Sequence, residues 1–298
     1  MTLELIAPAK LNLTLEITGR RPDGYHDIVS VMQTIDLADR VRLEESSSLR
    51  IEVSGVQRLG VPAEGPHNLA FKAAQSLAKA AGVSQAGVLI ELEKNIPAGM
   101  GLGGGSSDAA AVLRGLCKFW RLDLDPAVVK DVAASIGSDV PFFLHGGSAL
   151  VTGRGEHIEP LPDIASLTMT LFGAPLEVED KTRRMYSILK PTDFTDGSRS
   201  YALADSIRAG RTMADTAYYN AFDRHIGTIA EPLARAMALC REAGLTVVAS
   251  GSGPSFFAPT PLDALLPALL EELERSLGVQ AIACRSLSSA QATAMIEV

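Results

Sequence analysis

The chain has 298 residues, of which 47% are hydrophobic and 21% charged; that is enough apolar content for a sizeable core and argues against disorder. A formal net charge of -8 excludes a general affinity for nucleic acid or an anionic membrane surface, while local Lys and Arg leave anionic small molecules open as partners. Cys117, Cys240 and Cys284 lie far apart among apolar neighbours, so they read as core residues of a reducing compartment and not as a disulfide or metal set.

At the N-terminus, Glu4, Pro8 and Lys10 interrupt any apolar leader, and no apolar run of about 18 residues follows, so a cytoplasmic protein is expected. LNLTLEITG alternates through Leu11, Leu13, Leu15 and Ile17, the period of a strand buried on one face. Pro22, Asp23 and Gly24 make a turn, and RVRLEES repeats the alternation at Val41 and Leu43. NLAFKAAQSLAKAAG predicts a helix closed by Gly82, and GVLIELEK an antiparallel strand with Val88, Ile90 and Leu92 on one face.

The glycine-rich segment PAGMGLGGGSSDAA comes next, then a helix whose stripe is Ala109, Leu113, Leu116 and Trp120. Ser106 or Ser107 is its expected N-cap, and Asp108 suits the positive end of its dipole. A helix near DPAVVKDVAASIG, the segment SDVPFFLHGG, and a strand and turn in SALVTGRGE follow. EPLPDIAS reads as a connector, dividing the chain into domains at 1–160 and 161–298. Beyond it are a strand in LTMTLFG, a helix in EDKTRRMYSIL and a helix in EPLARAMALCREAG closed by Gly244. Two strands flank the glycine turn of TVVASGSGPSFFAP. TPLDALLPALLEELERSLG is expected as one helix with Thr260 as N-cap and Pro261 first, and VQAIACRS as the last strand. The fold class is α+β in two domains.

Glycines clustered against a helix start let backbone N–H groups converge on one point, and the helix adds unpaired N–H groups and partial positive charge, so this segment is suited to phosphate. No Gly-Lys dipeptide occurs, which rules out a Walker loop. Gly99, Gly101 and Gly104 satisfy G-x-G-x-x-G, but a dinucleotide fold needs a buried parallel strand just ahead, whereas this strand alternates and is separated from the glycines by Asn95 and Pro97. His67, His145, His157 and His225 have no metal-ligand spacing.

PAGMGLGGGSSDAA resembles the central ATP-binding motif of the GHMP kinases, and APAKLNLTLEITGRRPDGYHDI and SGSGPSFFA resemble their two other motifs. The form DGYH after AKLNL is similar to the branch whose acceptor is diphosphocytidyl-methylerythritol, in the non-mevalonate isoprenoid route. The resemblance implies an N-terminal domain like the second domain of ribosomal protein S5, a ferredoxin-like C-terminal domain, and ATP and Mg²⁺ as cofactors. Lys10 and Asp139 match the catalytic pair; on their own residues Asp139 reads equally as a helix N-cap or a turn before Pro141, and Lys10 reads more readily as a solvated lysine beside a strand.

Asn68, Lys94, Pro97, Ala98, Gly99, Met100, Gly101, Leu102, Gly103, Gly104, Gly105, Ser106 and Ser107 match nucleotide-binding positions. Asn12, Tyr25, His26, Tyr186, Gly251, Ser252 and Gly253 match substrate-binding ones, with Tyr25, His26 and Tyr186 around the cytosine ring. Two rivals remain. Another kinase of the superfamily has no need of DGYH, and a nucleotide- or sugar-binding sensor has no need to keep both Lys10 and Asp139.

Overall fold

The computed structural model describes every residue except 59, 60, 63, 64, 66, 85, 86, 165, 175–179 and 212–216. Ala165 of the expected connector and Glu179 of the expected helix therefore lie outside the described residues.

Two long antiparallel strands, β1 (Leu3–Arg20) and β2 (His26–Glu45), flank the turn that contains Pro22 to Gly24. Their register shifts three times, between Pro8 and Lys10, Asn12 and Thr14, and Ile17 and Gly19. An irregularity of one residue transfers the following side chains to the other face. The uniform alternation read from the sequence is accordingly corrected: Leu11 and Leu13 enter one core cluster, while Leu5, Leu15 and Ile17 enter another.

The N-terminal half continues with β3 (Arg50–Ser54), α1 (Leu69–Ala81), β4 (Val88–Glu93), α2 (Gly104–Phe119), α3 (Pro126–Ile136), α4 (Val140–His145), β5 (Ser148–Gly153) and β6 (His157–Leu161). Gly82 closes α1 in the left-handed region, as expected, and the side chain of Asn68 caps its start. β4 is antiparallel to β2 but parallel to β3, so the expected strand is antiparallel on one side only. The connector expected from EPLPDIAS begins inside β6. Among the described residues that strand pairs only with β5, and such an edge tolerates Pro160.

The remaining elements are β7 (Thr168–Gly173), α5 (Lys181–Ser187), α6 (Ser198–Arg208), β8 (Tyr219–Asn220), α7 (Glu231–Glu242), β9 (Val248–Ala249), β10 (Ser255–Ala258), α8 (Pro267–Leu277), β11 (Gln280–Arg285), α9 (Ser289–Ala292) and β12 (Met295–Glu297). A four-stranded antiparallel sheet runs β11-β7-β10-β9, with α7 between β7 and β9 and α8 between β10 and β11. This is the βαββαβ order of a ferredoxin-like unit, and Phe172 stacks on Phe256 in its core at 4.7 Å.

Two short strands from this half rejoin the large sheet, β8 parallel and β12 antiparallel to β1. VQAIACRS is thus not the last strand. The helix expected from Thr260 is also corrected: only a 3-10 turn (Leu262–Ala264) forms there, and α8 begins at Pro267. A proline disfavours helical geometry in the residue before it and is well placed at a first helical position.

Candidate active site

The glycine segment alternates its conformations. Gly99, Gly101 and Gly103 have φ of +74°, +75° and +74°, while Met100 and Leu102 between them are buried. The inward-facing carbonyls are tied down: the Ser255 hydroxyl donates to Met100 O at 2.7 Å, and the Lys10 backbone N–H donates to Leu102 O at 2.9 Å. The second bond falls just after the register shift between Pro8 and Lys10, beyond which Lys10 pairs with Thr34. A Cβ on Gly103 would lie 2.8 Å from the Phe143 ring and 3.3 Å from Lys10 Cγ, so loop and lysine meet where only glycine fits.

Gly103 is the N-cap of α2 and no side chain caps it, contrary to the expectation for Ser106 or Ser107. The left-handed Gly103 already sets the entry, and the first N–H with a helical partner is that of Ser107, bonded to Gly103 O. The N–H groups at Gly104, Gly105 and Ser106 therefore front the cleft, as an anion site requires.

Asp108 is not a free dipole partner either. Asp39 and Asp108 both accept from the Lys94 ammonium, and Asp39 also accepts from the N–H groups of Asn95 (2.5 Å) and Ile96 (2.8 Å). All three side chains are buried. Burial pushes the Asp108 carboxyl up, against the pull of Lys94, and the neighbouring Asp39 charge adds to the rise. Burial draws the Lys94 ammonium down, but Asp108 and Asp39 together turn its net shift upward. This buried cluster joins β2, β4 and α2 directly beneath the loop.

Lys10 is 4% exposed. Its ammonium donates to Asn12 Oδ1 at 2.6 Å; Asn12 Nδ2 donates to Ser30 Oγ at 2.8 Å, and Ser30 Oγ to Thr14 O at 2.5 Å. Asp139, the N-cap residue of α4 without a capping bond, places Oδ2 3.8 Å from the same ammonium. The Gly251 turn closes the other side: a Cβ there would lie 3.5 Å from Lys10 Nζ. Asn220 on β8 fixes that turn by donating to Ala249 O at 2.7 Å and Gly251 O at 2.9 Å.

Lys10, Asn12, Asp139, Gly251 and the glycine loop border one cleft of about 2050 Å³, which also takes in Tyr25, His26, Tyr186 and Ser252. His26 and Tyr186 have ring centroids 5.3 Å apart, and Arg154 sits over the exposed Tyr25 ring at 4.9 Å. Burial first, then Arg20, lowers the His26 pKa and favours the neutral imidazole. Burial, with the Asp139 charge adding, raises that of the Tyr186 hydroxyl.

A smaller adjoining pocket of about 210 Å³ is lined by Val61, His67, Asn68, Lys94 and the outer part of the loop, including Pro97, Ala98 and Leu102. Asn68 spends its side chain on α1 and on Pro62 O, and Lys94 spends its ammonium on the two carboxylates. Ser107 is buried, and neither it nor Gly253 lines either cavity; a Cβ on Gly253 would meet Ile226 at 2.4 Å.

Sequence reasoning missed Asp39, Asn220, Arg154 and Lys181. Lys181 on α5 borders the cleft and donates to Gly99 O at 2.6 Å. Arg154 alone had a signal, since it lies in the glycine turn of SALVTGRGE. Among the described residues no three His, Cys, Asp or Glu side chains converge as a metal set, and no helix is long and apolar enough to cross a membrane.

Comparison with known proteins bears on this arrangement. Residues 68–147 match the family described as GHMP kinases N terminal domain. A 4-diphosphocytidyl-2-C-methyl-D-erythritol kinase of Exiguobacterium sibiricum is 40% identical over 276 residues, covering 87% of this chain and 90% of that protein. A protein of the same name from Bacillus cereus is 41% identical over 260 residues, covering 86% and 88%. A crystal structure of 4-(cytidine 5'-diphospho)-2C-methyl-D-erythritol kinase superposes with a TM-score of 0.74 at 34% identity, covering 95% and 98%. Homoserine kinase from Cytophaga hutchinsonii shares the fold, with a TM-score of 0.75 at 17% identity and coverage of 99% and 97%.

Proposed function

Since the chain belongs to the 4-diphosphocytidyl-2-C-methyl-D-erythritol kinases of the GHMP superfamily, we propose that it transfers the γ-phosphoryl group of ATP directly to the 2-hydroxyl of 4-diphosphocytidyl-2-C-methyl-D-erythritol, as a cytoplasmic enzyme of isoprenoid precursor synthesis. The observation that carries this reading is the Lys10–Asp139 pair at 3.8 Å, set between the glycine loop and the Tyr25, His26 and Tyr186 rings in one cleft.

Adenine enters the smaller pocket beside Asn68 and Lys94, and the phosphates lie along Gly99 to Ser106, where the N–H groups at the start of α2 meet their charge. Cytosine is held by Tyr25, His26 and Tyr186, the neutral imidazole offering both a donor and an acceptor. Gly251 and Ser252 close on the acceptor. Mg²⁺ fits as a nucleotide-borne ion: no protein carboxylate cage surrounds the loop among the described residues, and Ser106 is the hydroxyl beside it. The metal would offset charge on the phosphates.

In the transfer, the acceptor oxygen forms a bond to the γ-phosphorus as the bond from that phosphorus to the bridging β-oxygen breaks, releasing ADP. Asp139 takes the hydroxyl proton. Lys10, held by Asn12, orients the hydroxyl and offsets charge on the phosphoryl oxygens. A loose transition state asks mainly for position and charge, which a buried, hydrogen-bonded ammonium supplies.

The test is ATP-dependent phosphorylation of diphosphocytidyl-methylerythritol beside galactose, homoserine and phosphomevalonate, with Asp139→Asn in parallel. Turnover of the cytidyl substrate alone, lost in the variant, is expected. Turnover of an acceptor without cytosine overturns the substrate assignment, and no turnover of any acceptor overturns the kinase.

A further inference from the structure

Lys181 opens α5, the helix that also carries Tyr186. Its ammonium donates to the carbonyl of Gly99, the first left-handed glycine of the phosphate loop, at 2.6 Å. It borders the cleft together with Lys10. The two cations differ in what surrounds them. Lys10 has Asp139 at 3.8 Å, whereas among the described residues no carboxylate forms an ion pair with Lys181, although Asp180 precedes it.

An ammonium whose only acceptor among the described residues is one neutral carbonyl, with a second ammonium lining the same cleft, is poorly compensated. Consistent with this, burial first and Lys10 second lower its pKa to about 8. A polyanion arriving on the loop would supply a charge partner from the side that Gly99 occupies.

We propose that Lys181 is a phosphate-binding residue for the nucleotide, exchanging the Gly99 carbonyl for phosphate oxygens when ATP fills the loop. Because α5 also bears Tyr186, the same contact ties the base-binding helix to the loaded loop. The proposal rests on the assignment of this cleft to ATP-dependent phosphoryl transfer. A second phosphate source, the diphosphate of the cytidyl substrate, has the same chemistry and is separated by the test.

Binding of a non-hydrolysable ATP analogue with Mg²⁺, and separately of CDP, is measured calorimetrically on the wild type, Lys181→Met and Lys181→Arg, with thermal melting as the fold control. Lys181→Met is expected to weaken the analogue by about 10- to 100-fold, the loss typical of a charge-assisted bond, with CDP unchanged and Lys181→Arg retaining most of the affinity. Undiminished analogue binding in Lys181→Met, or a loss confined to CDP, overturns the proposal.

A second readout needs only the wild type. Near pH 8 the ammonium is partly deprotonated before binding, while Lys10, Asp139, Asp180 and Arg183 are charged groups among the described residues that line the same cleft. Analogue binding in buffers of different ionisation enthalpy should therefore show net proton uptake, and its absence also overturns the assignment. Neither readout depends on which acceptor is phosphorylated, so a wrong acceptor would sink the proposed function and leave this inference standing.

Discussion

Replacing Asn12 with Ala separates the positioning of Lys10 from its presence. In the native site the Lys10 ammonium has a 2.6 Å bond to Asn12 Oδ1 and a looser contact with Asp139 at 3.8 Å. Truncation leaves Asp139 as its remaining partner at the reacting centre. The ammonium then closes on the carboxylate, leaves the acceptor hydroxyl and occupies the proton acceptor. A hydrogen bond to a charged group contributes about 1.5–3 kcal/mol, which corresponds to about a 10- to 100-fold fall in kcat.

The fold should lose far less than the reaction does. Ser30 Oγ keeps its bond to Thr14 O after Asn12 is shortened, so no buried donor is stranded there. The KM for ATP should stay within about twofold, since the loop and the small pocket are untouched. Steady-state kinetics and a melting curve on Asn12→Ala check both halves. A kcat within about threefold of the wild type, in a fully folded variant, refutes the claim that Asn12 sets the Lys10 position.

Gly103→Ala forces a side chain into a φ of +74° and into contact with Phe143; the backbone strain alone is about 1–2 kcal/mol. A lower Tm and a raised KM for ATP should appear together. Asp39→Ala removes one of two carboxylates from a buried ammonium and the acceptor from Asn95 and Ile96 N–H. About 3–5 kcal/mol of stability should go, visible in denaturant unfolding. For His26 the folded pKa lies below the usual value of about 6.5. The unfolded chain thus takes up the proton first, and stability contributed by the neutral ring is present above that value and lost as pH falls below it. Melting of the wild type from about pH 7 to about pH 5 should drop more than that of His26→Asn, and equal slopes would contradict the stated shift.

Much of this site was legible because its parts are local. The glycine loop, the α1 cap at Asn68 and the DGYH turn are each written within a few consecutive residues, and their chemistry follows from residue type and adjacency. What escaped is pairing across distance. Asp39 lies 55 positions from Lys94, and Asn220 lies 31 positions from Gly251; nothing in the surroundings of Asp39 or Asn220 marks either as a partner. The alternation of Leu11 to Ile17 was read correctly as a strand, but the irregularity that sends its residues into two cores is set by register against β2, which a single strand cannot express. The mistaken caps at Ser106 and Thr260 share another cause. In both, a favourable cap residue was outweighed by a neighbour with stronger backbone demands, Gly103 in one and Pro267 in the other.

The charge of the chain gives the last step. A protein of net charge -8 gains no long-range attraction for ATP, so cations at the cleft must meet the phosphates at short range. Lys10, Arg20, Arg154, Lys181 and Arg183 border it, against the carboxylates of Asp23, Asp139 and Asp180. Of these carboxylates, Asp139 belongs to the reacting centre and Asp23 is drawn toward Arg21. The local excess is therefore positive although the whole is negative. That distribution favours a polyanion lying along the cleft. It also gives the two lysines different duties. Lys10 is buried and hydrogen-bonded, suited to a fixed reacting geometry, whereas Lys181, bonded among the described residues to the Gly99 carbonyl, is suited to meet a ligand that comes and goes.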